Sequence, residues 1–355
     1  MQKQFIYQRK GQEYLMNEII KEGVQEIRNN LDLGFGEGKR VLVSGGAGFL
    51  GSWICDVLVE SKAKVICIDN FASGQKNNIL HLIDNENFKF IQHDIGTPIF
   101  FDEKIDFVMH LASRASPFEF KEHPIQILKA NTLGIWIALG IAKKHRARFL
   151  YASTSEIYGN PSIVPTPETY NGNVNPIGPR SCYDEAKRCG ESYVIAYRTQ
   201  HKIDTRIARI FNTYGPRMRA DDIYGRVVPR FVDQALNSQP ITVFGDGTQT
   251  RSFCYVTDQV EGLLRLAALP AGEGEVVNIG NEEEVRIIEL AEEIKGLTKS
   301  SSEIVFEELP TDDPRRRCPE ITKAKRILEW EPKVEVEQGL RKVIRWFEKF
   351  EKMEK

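Results

Sequence analysis

Apolar and polar positions along this chain follow two periods that take turns. Short apolar runs predict strands at 40–44, 64–68, 88–92, 106–111, 147–152, 205–210, 241–244 and 276–279. Apolar residues three and four apart predict helices at 50–61, 124–144, 182–200, 227–237, 257–267, 286–295, 320–327 and 335–351. This alternation, from residue 39 onward, predicts an α/β fold with a doubly wound parallel sheet covered on both faces. Before it, Glu13 to Asn30 reads as an amphipathic helix, with Leu15, Ile19, Ile20, Val24 and Ile27 at helical spacing. Gly23 is a weak helix former inside that pattern, and 31–38 reads as a glycine-bearing linker. The arm 1–38 either covers part of the domain or packs on a partner subunit. After Phe211 the alternation breaks down, and 213–240, 244–256 and 300–319 are rich in Arg, Gly, Pro and Asp. They read as a smaller, discontinuous substrate-binding region.

The first strand runs into Gly45-Gly-Ala-Gly48-Phe49-Leu50-Gly51, a helix follows, and the second strand ends on Asp69. This arrangement predicts a dinucleotide site of Rossmann type. Gly45 allows the tight turn, Gly48 lets a pyrophosphate approach the backbone, and Gly51 lets the helix pack against the strand. The helix start offers free N–H groups and a positive dipole end to phosphates. Asp69 stands where an acid holds a ribose hydroxyl, and it would repel a 2′-phosphate, so NAD is expected. Asp94 and Ile95 follow the third strand, where an acid can meet the adenine amino group. A plain turn acid fits that spacing as well. His110-Leu111-Ala112-Ser113 ends the fourth strand with small residues that admit a cofactor. Residues 39–212 thus read as mainly an NAD-binding domain. Residues 213–355 read as mainly the substrate region, with returning Rossmann elements near 241–244 and 257–295.

Composition narrows the classes. The chain has 355 residues and a net charge of −2, so no basic field argues for nucleic acid. No apolar run reads as long enough to span a bilayer, and the N-terminus lacks a signal peptide's apolar middle. Six cysteines show no metal-ligand spacing and suit a reduced, cytoplasmic protein. No metal is expected. Cys182 reads as packing.

The chemistry centres on Ala152-Ser153-Thr154-Ser155-Glu156, directly after an apolar run, and on Tyr183 and Lys187, one helical turn apart. An ammonium near a phenol favours the phenolate, which makes Tyr183 a candidate general base. The Thr154 hydroxyl can bond the same substrate oxygen. A Tyr-x-x-x-Lys pair alone also occurs on surface helices; the glycine turn and the Ser/Thr-rich strand end make it specific.

These motifs resemble the extended short-chain dehydrogenase/reductase superfamily, and within it the UDP-glucuronate decarboxylases. The matching stretches are GGAGFLGS at 45–52, IDNFASG at 68–74, HLAS at 110–113, ASTSEIYG at 152–159, NPIGPRSCYDEAKR at 175–188, ARIFNTYGPRM at 208–218, GRVVPRF at 225–231, GDGTQTRSFCYV at 245–256 and DDPRRRCPE at 312–320. Related dehydratases carry Asp where Ser155 stands, and epimerases usually lack the acid of Glu156. Arg114 departs from the family's usual Pro. The resemblance implies NAD held by Gly45, Gly48, Phe49, Leu50, Gly51, Asp69, Asn70, Ser73, Gly74, Asp94, Ile95, Leu111, Ala112, Ser113, Tyr183 and Lys187. It implies catalysis by Thr154, Ser155, Glu156, Tyr183, Lys187 and Arg317, the last also meeting substrate. On spacing alone, Arg315-Arg-Arg317 suits a solvated loop. Asn212 is expected on the diphosphate of UDP-glucuronate, Arg230 and Arg251 on its phosphate or sugar hydroxyls, Arg226 on cofactor or substrate, and Phe244 at the uracil or in the core. A homodimer is implied through the helices at 124–144 and 182–200, with Tyr193, Val194 and Tyr197 as an apolar patch; intramolecular packing is the other account of that patch. A UDP-sugar 4-epimerase and a non-catalytic binder of NAD or UDP-sugar are the competing functions.

Overall fold

Seven parallel strands form the central sheet, in the order Val276–Ile279, β6 (Thr205–Ile210), β5 (Arg148–Thr154), β4 (Phe107–His110), β1 (Arg40–Ser44), β2 (Lys64–Asp69) and β3 (Phe88–Gln92). The computed structural model describes residues 10–31, 34–220, 226–309 and 314–354. Residues 1–9, the Leu15 side chain, Gly225 and the Asp312-Asp313 pair, all part of the sequence reading, lie outside the described residues.

The strands are apolar on both faces because both faces are covered. Val41 and Val43 join one core, with α2 (Phe49–Glu60) and α7 (Val256–Ala268). Leu42 joins another, with α4 (Pro124–His145) and α5 (Ser181–His201). The chain leaves β3 at one edge and returns to β4 on the other side of β1, so the topology switches between β1 and β4. Ligand sites of such sheets lie at that switch, beyond the strand ends.

The predicted strands and helices all form. The strand at 241–244 does not return to the main sheet, however. It pairs in parallel with Ile304–Glu307, with α6 (Val227–Leu236) and the helix Ile287–Thr298 packed against it. An apolar run specifies a strand but not its partner. The returning part is therefore α7 and Val276–Ile279. A further small sheet puts Thr250–Ser252 between Glu284–Arg286 and Arg316–Arg317.

Two more expectations change. α4 has an 18-residue window of mean hydropathy 1.4, long and apolar enough by composition to cross a bilayer. Here it lies against β4, β5 and α5, with 44% of that window buried. The patch of Tyr193, Val194 and Tyr197 faces inward: Val194 is fully buried and both tyrosines pack on the same core.

The N-terminal arm packs on its own chain. α1 (Lys10–Asn29) buries Ile19, Ile20, Val24 and Ile27 against α2, α7 and the helix Val336–Glu354. A fully buried side chain of this kind contributes about 1.5–3 kcal/mol. Gly23 has a packing reason, since a Cβ there would stand 2.8 Å from the Trp53 ring and 3.0 Å from Thr257. Helix propensity alone would make Gly23→Ala stabilising by ~1 kcal/mol. The buried Trp53 makes overpacking dominate, and we expect a net loss of about 1–3 kcal/mol in urea unfolding. A more stable variant would refute this packing.

Candidate active site

The carboxyl ends of the strands open into a cleft of about 730 Å³, within the size range of small-molecule sites. Its cofactor end is built on the β1–α2 turn. Gly45 sits at φ +78°, where a Cβ would come within 2.7 Å of the Ala112 nitrogen. Gly51 lies so close beneath the turn that a Cβ would overlap the Gly45 carbonyl oxygen. Gly48 caps α2 without a side-chain acceptor, so the first N–H groups of the helix have no partner within it. That uncapped start suits a phosphate.

Asp69 closes this end. Its Oδ2 accepts from the Ala47 N–H at 3.0 Å and its Oδ1 from the Phe71 N–H at 2.8 Å. Burial pushes its carboxyl up, while these backbone donors pull it down. Asn70 donates to Asp94 at 3.2 Å, joining two expected cofactor residues. Gly74 does not line the cleft. It lies against the Asp69 carboxylate, where a Cβ would be 2.8 Å from both oxygens, so its part is to let the loop close over that acid. At the switch point Ser44 and His110 Nδ1 share a 2.7 Å hydrogen bond. Burial first, and the Lys187 charge second, lower His110 to about 3, so the ring is neutral.

The middle of the cleft holds Thr154, Ser155, Glu156, Tyr183 and Lys187. The end of β5 and the short turn after it deliver the first three, and α5 lies alongside to deliver the other two. Beneath them, Ser153 donates to Glu191 at 2.6 Å, and Arg209 grips both Glu191 oxygens at 3.0 and 2.8 Å. The Tyr183 ring stacks on Phe120 of α3 (Pro117–Glu122), with centroids 5.0 Å apart. Arg114 also lines the cleft and ion-pairs with Glu119 of α3.

The tuning of Tyr183 differs from the sequence expectation. Burial raises the phenol, the Glu156 charge adds to that, and a Thr154 hydrogen bond pulls it back. Lys187 does not touch the phenol. Its Nζ donates to the Ala152 carbonyl at 2.7 Å and stands 5.8 Å from the Tyr183 ring centroid. Burial lowers Lys187 itself to about 7. The phenol is therefore protonated in the free protein.

Glu156 is clamped. Arg317 meets both its oxygens, one at 2.8 Å, and Arg180 meets Oε2. Burial alone would raise this carboxyl; the two guanidinium groups outweigh it and hold it at about 2. Arg180 also stands 3.6 Å from Asp184; with that acid protonated, two cations against one anion leave a net positive wall. Sequence reading named Arg317 and gave no role to Arg180 or Asp184, although both lie in the matching stretch 175–188. Their spacing of one turn, at i and i+4, was the available signal.

The far end holds the expected substrate residues. Arg317 pairs with Arg251 in register, so both reach the cleft from neighbouring strands. The Arg230 guanidinium lies 4.8 Å from the Phe244 ring centroid and donates to Thr242 at 3.1 Å. Asn212 lines the cleft with a buried Nδ2 that has no partner among the described residues, as a donor kept for a ligand would. Arg226, at φ +53°, starts α6 at the cleft edge.

A family profile described as NAD dependent epimerase/dehydratase family matches residues 41–280. UDP-glucuronic acid decarboxylase 5 of Arabidopsis thaliana is 51% identical over 302 residues, covering 85% of this chain and 87% of that protein. UDP-glucuronic acid decarboxylase 1 of Xenopus tropicalis is 48% identical, covering 88% of this chain and 72% of its own length. Among solved structures, UDP-glucose 4-epimerase of Thermotoga maritima superposes with a TM-score of 0.79 at 31% identity, covering 88% of this chain and 99% of that one. UDP-glucuronic acid 4-epimerase of Bacillus cereus, in complex with UDP-glucuronic acid and NAD, gives 0.78 at 28% identity over the same shares. The chain therefore belongs to the NAD-dependent epimerase/dehydratase family, and within it to the relatives named UDP-glucuronic acid decarboxylase.

Proposed function

We propose that this chain converts UDP-glucuronate to UDP-xylose, as a carboxy-lyase with catalytic NAD. The observation that carries this is one cleft in which Thr154, Tyr183 and Lys187 stand beside a glutamate clamped by two arginines. The first three suit oxidation and re-reduction of a sugar hydroxyl. The net cationic wall suits a sugar carboxylate. Relatives of about half identical sequence carry the decarboxylase name, which supports the same reading.

NAD, when bound, supplies a reversible two-electron acceptor. Gly45, Gly48, Gly51 and Asp69 would hold its phosphates and ribose at one end, Lys187 at the other. Tyr183 takes the proton of the sugar 4-hydroxyl while Thr154 orients that oxygen. Burial opposes the phenolate, and the Thr154 hydrogen bond favours it. Oxidation at C4 leaves a ketone β to the carboxylate. Carbon dioxide departs and its electron pair spreads onto the ketone oxygen, where Tyr183 hydrogen-bonds the growing charge. Protonation at C5, re-reduction at C4 and return of the Tyr183 proton complete the pentose. A carboxylate becomes CO₂ and a C–H bond, so each turnover takes up one proton. Asn212, Arg226, Arg230 and Arg251 hold the diphosphate, for which planar guanidinium groups are suited, and Phe244 meets the uracil.

The likeness to two solved epimerases favours a second reading, a UDP-sugar 4-epimerase. That reaction needs Thr154, Tyr183 and Lys187 but not the clamped Glu156. Purified protein given UDP-glucuronate should release CO₂ and form UDP-xylose by NMR; UDP-galacturonate instead would replace the decarboxylase with an epimerase. Tyr183→Phe should lower kcat by at least about 10²-fold, with NAD binding largely intact by fluorescence titration. A variant near wild-type rate would end the role given to Tyr183.

We further propose a cytoplasmic homodimer. Six free cysteines, five of them buried, support a reducing compartment. The dimer would form through α4, where Ile125, Leu128, Leu133 and Trp136 stand 40–62% exposed, with Ile195 on α5 at 43%. Trp136→Glu should turn a sedimenting dimer into a monomer; a dimer of unchanged affinity would exclude this face.

A further inference from the structure

Glu156, Arg180 and Arg317 form a wall with space on both sides. They line the large cleft, and they also line a small cavity of about 130 Å³. Asp184 lines only the small cavity, together with Asn160, Asn173 and Asn175. Its side chain is buried, next to Tyr183 on α5. Its Oδ2 lies 3.6 Å from Arg180 Nε, and its Oδ1 has no hydrogen-bond partner among the described residues. Arg317 Nε, on the same wall, has none either. Buried polar atoms are seldom left unsatisfied, and a polar cavity of this size has room for several waters.

The proposed decarboxylation, on which this inference rests, needs one proton at C5. Tyr183 is committed to the C4 oxygen. Glu156 is a poor donor because two guanidinium groups keep it ionised, at about 2. Asp184 is different. Burial, then the Glu156 charge, push it up to about 7, against the pull of Arg180 and Arg317. The charged and titratable groups facing it are Arg180 just before its helix, Cys182 and Tyr183 on that helix, Glu156 from the turn after β5, and Arg317 from the short strand.

We propose that Asp184, acting through water in the small cavity, supplies the proton taken up at C5. After CO₂ leaves, the electron pair of the broken bond is shared between C5 and the C4 oxygen. A cavity water at the Glu156 edge of the wall gives C5 a proton while it receives one from Asp184. The new C5–H bond restores the C4 ketone, and the Asp184 carboxylate regains its proton from solvent. Asp184 is thus a positioning acid behind the wall and does not touch the sugar.

The test begins with wild-type enzyme and UDP-glucuronate in D₂O, where UDP-xylose should carry deuterium at C5. If no UDP-xylose forms, the functional reading has failed, and the role of Asp184 fails with it. With wild-type turnover in hand, Asp184→Asn should lower kcat about 10²-fold with KM little changed. Single-turnover CO₂ release should keep its rate, and NADH absorbance should build up in the steady state, because the step after CO₂ loss is the slow one. The working form of Asp184 is protonated, so wild-type kcat should fall as pH rises through about 7. Asp184→Asn should lack that alkaline limb, and Asp184→Glu should restore both rate and limb. An Asn variant of wild-type rate overturns the proposal. So does one slowed equally at every pH, with the limb kept and no NADH build-up. If the amide does not fold, Asp184→Ser takes its place with the same expectations, and absence of a limb near 7 in the wild-type profile rejects the role.

Discussion

A carboxylate withdrawn from water must be met by hydrogen-bond donors or opposite charge, and at the centre of this cleft Glu156 is met by two guanidinium groups. Removing one partner of a buried ion pair typically costs about 3–5 kcal/mol, so the geometry around such a group is closely specified. Its partners come from separate parts of the chain. Glu156 follows β5, Arg180 precedes α5, and Arg317 lies in a short strand of the C-terminal region. One shared charge therefore locks the sheet to the substrate region at the point where the reacting sugar would lie. With Asp184 protonated, the cation that remains would suit an anion in the cleft.

The rest of the architecture supports that joint from below and from behind. Arg209 and Glu191 hold the end of β5 from beneath. Behind the glycine turn, Arg217 donates to Asp56 of α2 at 2.6 Å, both nearly fully buried, with its guanidinium 5.7 Å from the Trp53 ring centroid. This ties the loop after β6 to the helix that starts the cofactor site. The loop then passes along the cleft through Met218 and Arg219. α1 packs on the outer side of the same helix. Trp53 is thus approached from two sides, by the N-terminal arm and by the cleft loop.

Much of this was legible in sequence, and the failures have physical causes. Period and turn chemistry located the sheet strands because those signals are local. The partner of 241–244 was not local, and the run went to the wrong sheet. No run was read as long and apolar enough to span a bilayer, yet α4 is, because its apolar surface extends past the side that the sheet covers. Gly74 sits in a motif yet works one layer behind the cleft. Lys187 has the expected spacing from Tyr183, but rotamer and burial direct its charge to the Ala152 carbonyl instead. Arg180 and Asp184 were missed for the opposite reason: their character comes from burial, and burial is a property of the folded whole. The site residues named by motif nearly all reach one cleft, since a strand end followed by a helix start fixes direction as well as position.

The late position of Arg317 in the chain has a consequence for how this protein comes into being. The glycine turn, Asp69 and the Tyr183 helix are all synthesised well before it. A nascent chain that has made the first six strands already carries the glycine turn, Asp69, Tyr183 and Arg180, but its Glu156 still lacks one of its two cations. The reactive centre is completed only when a segment from the C-terminal region docks against the sheet. Contacts so distant in sequence form slowly, because loop closure must precede them. Chemical competence therefore waits on one of the last-made parts of the chain.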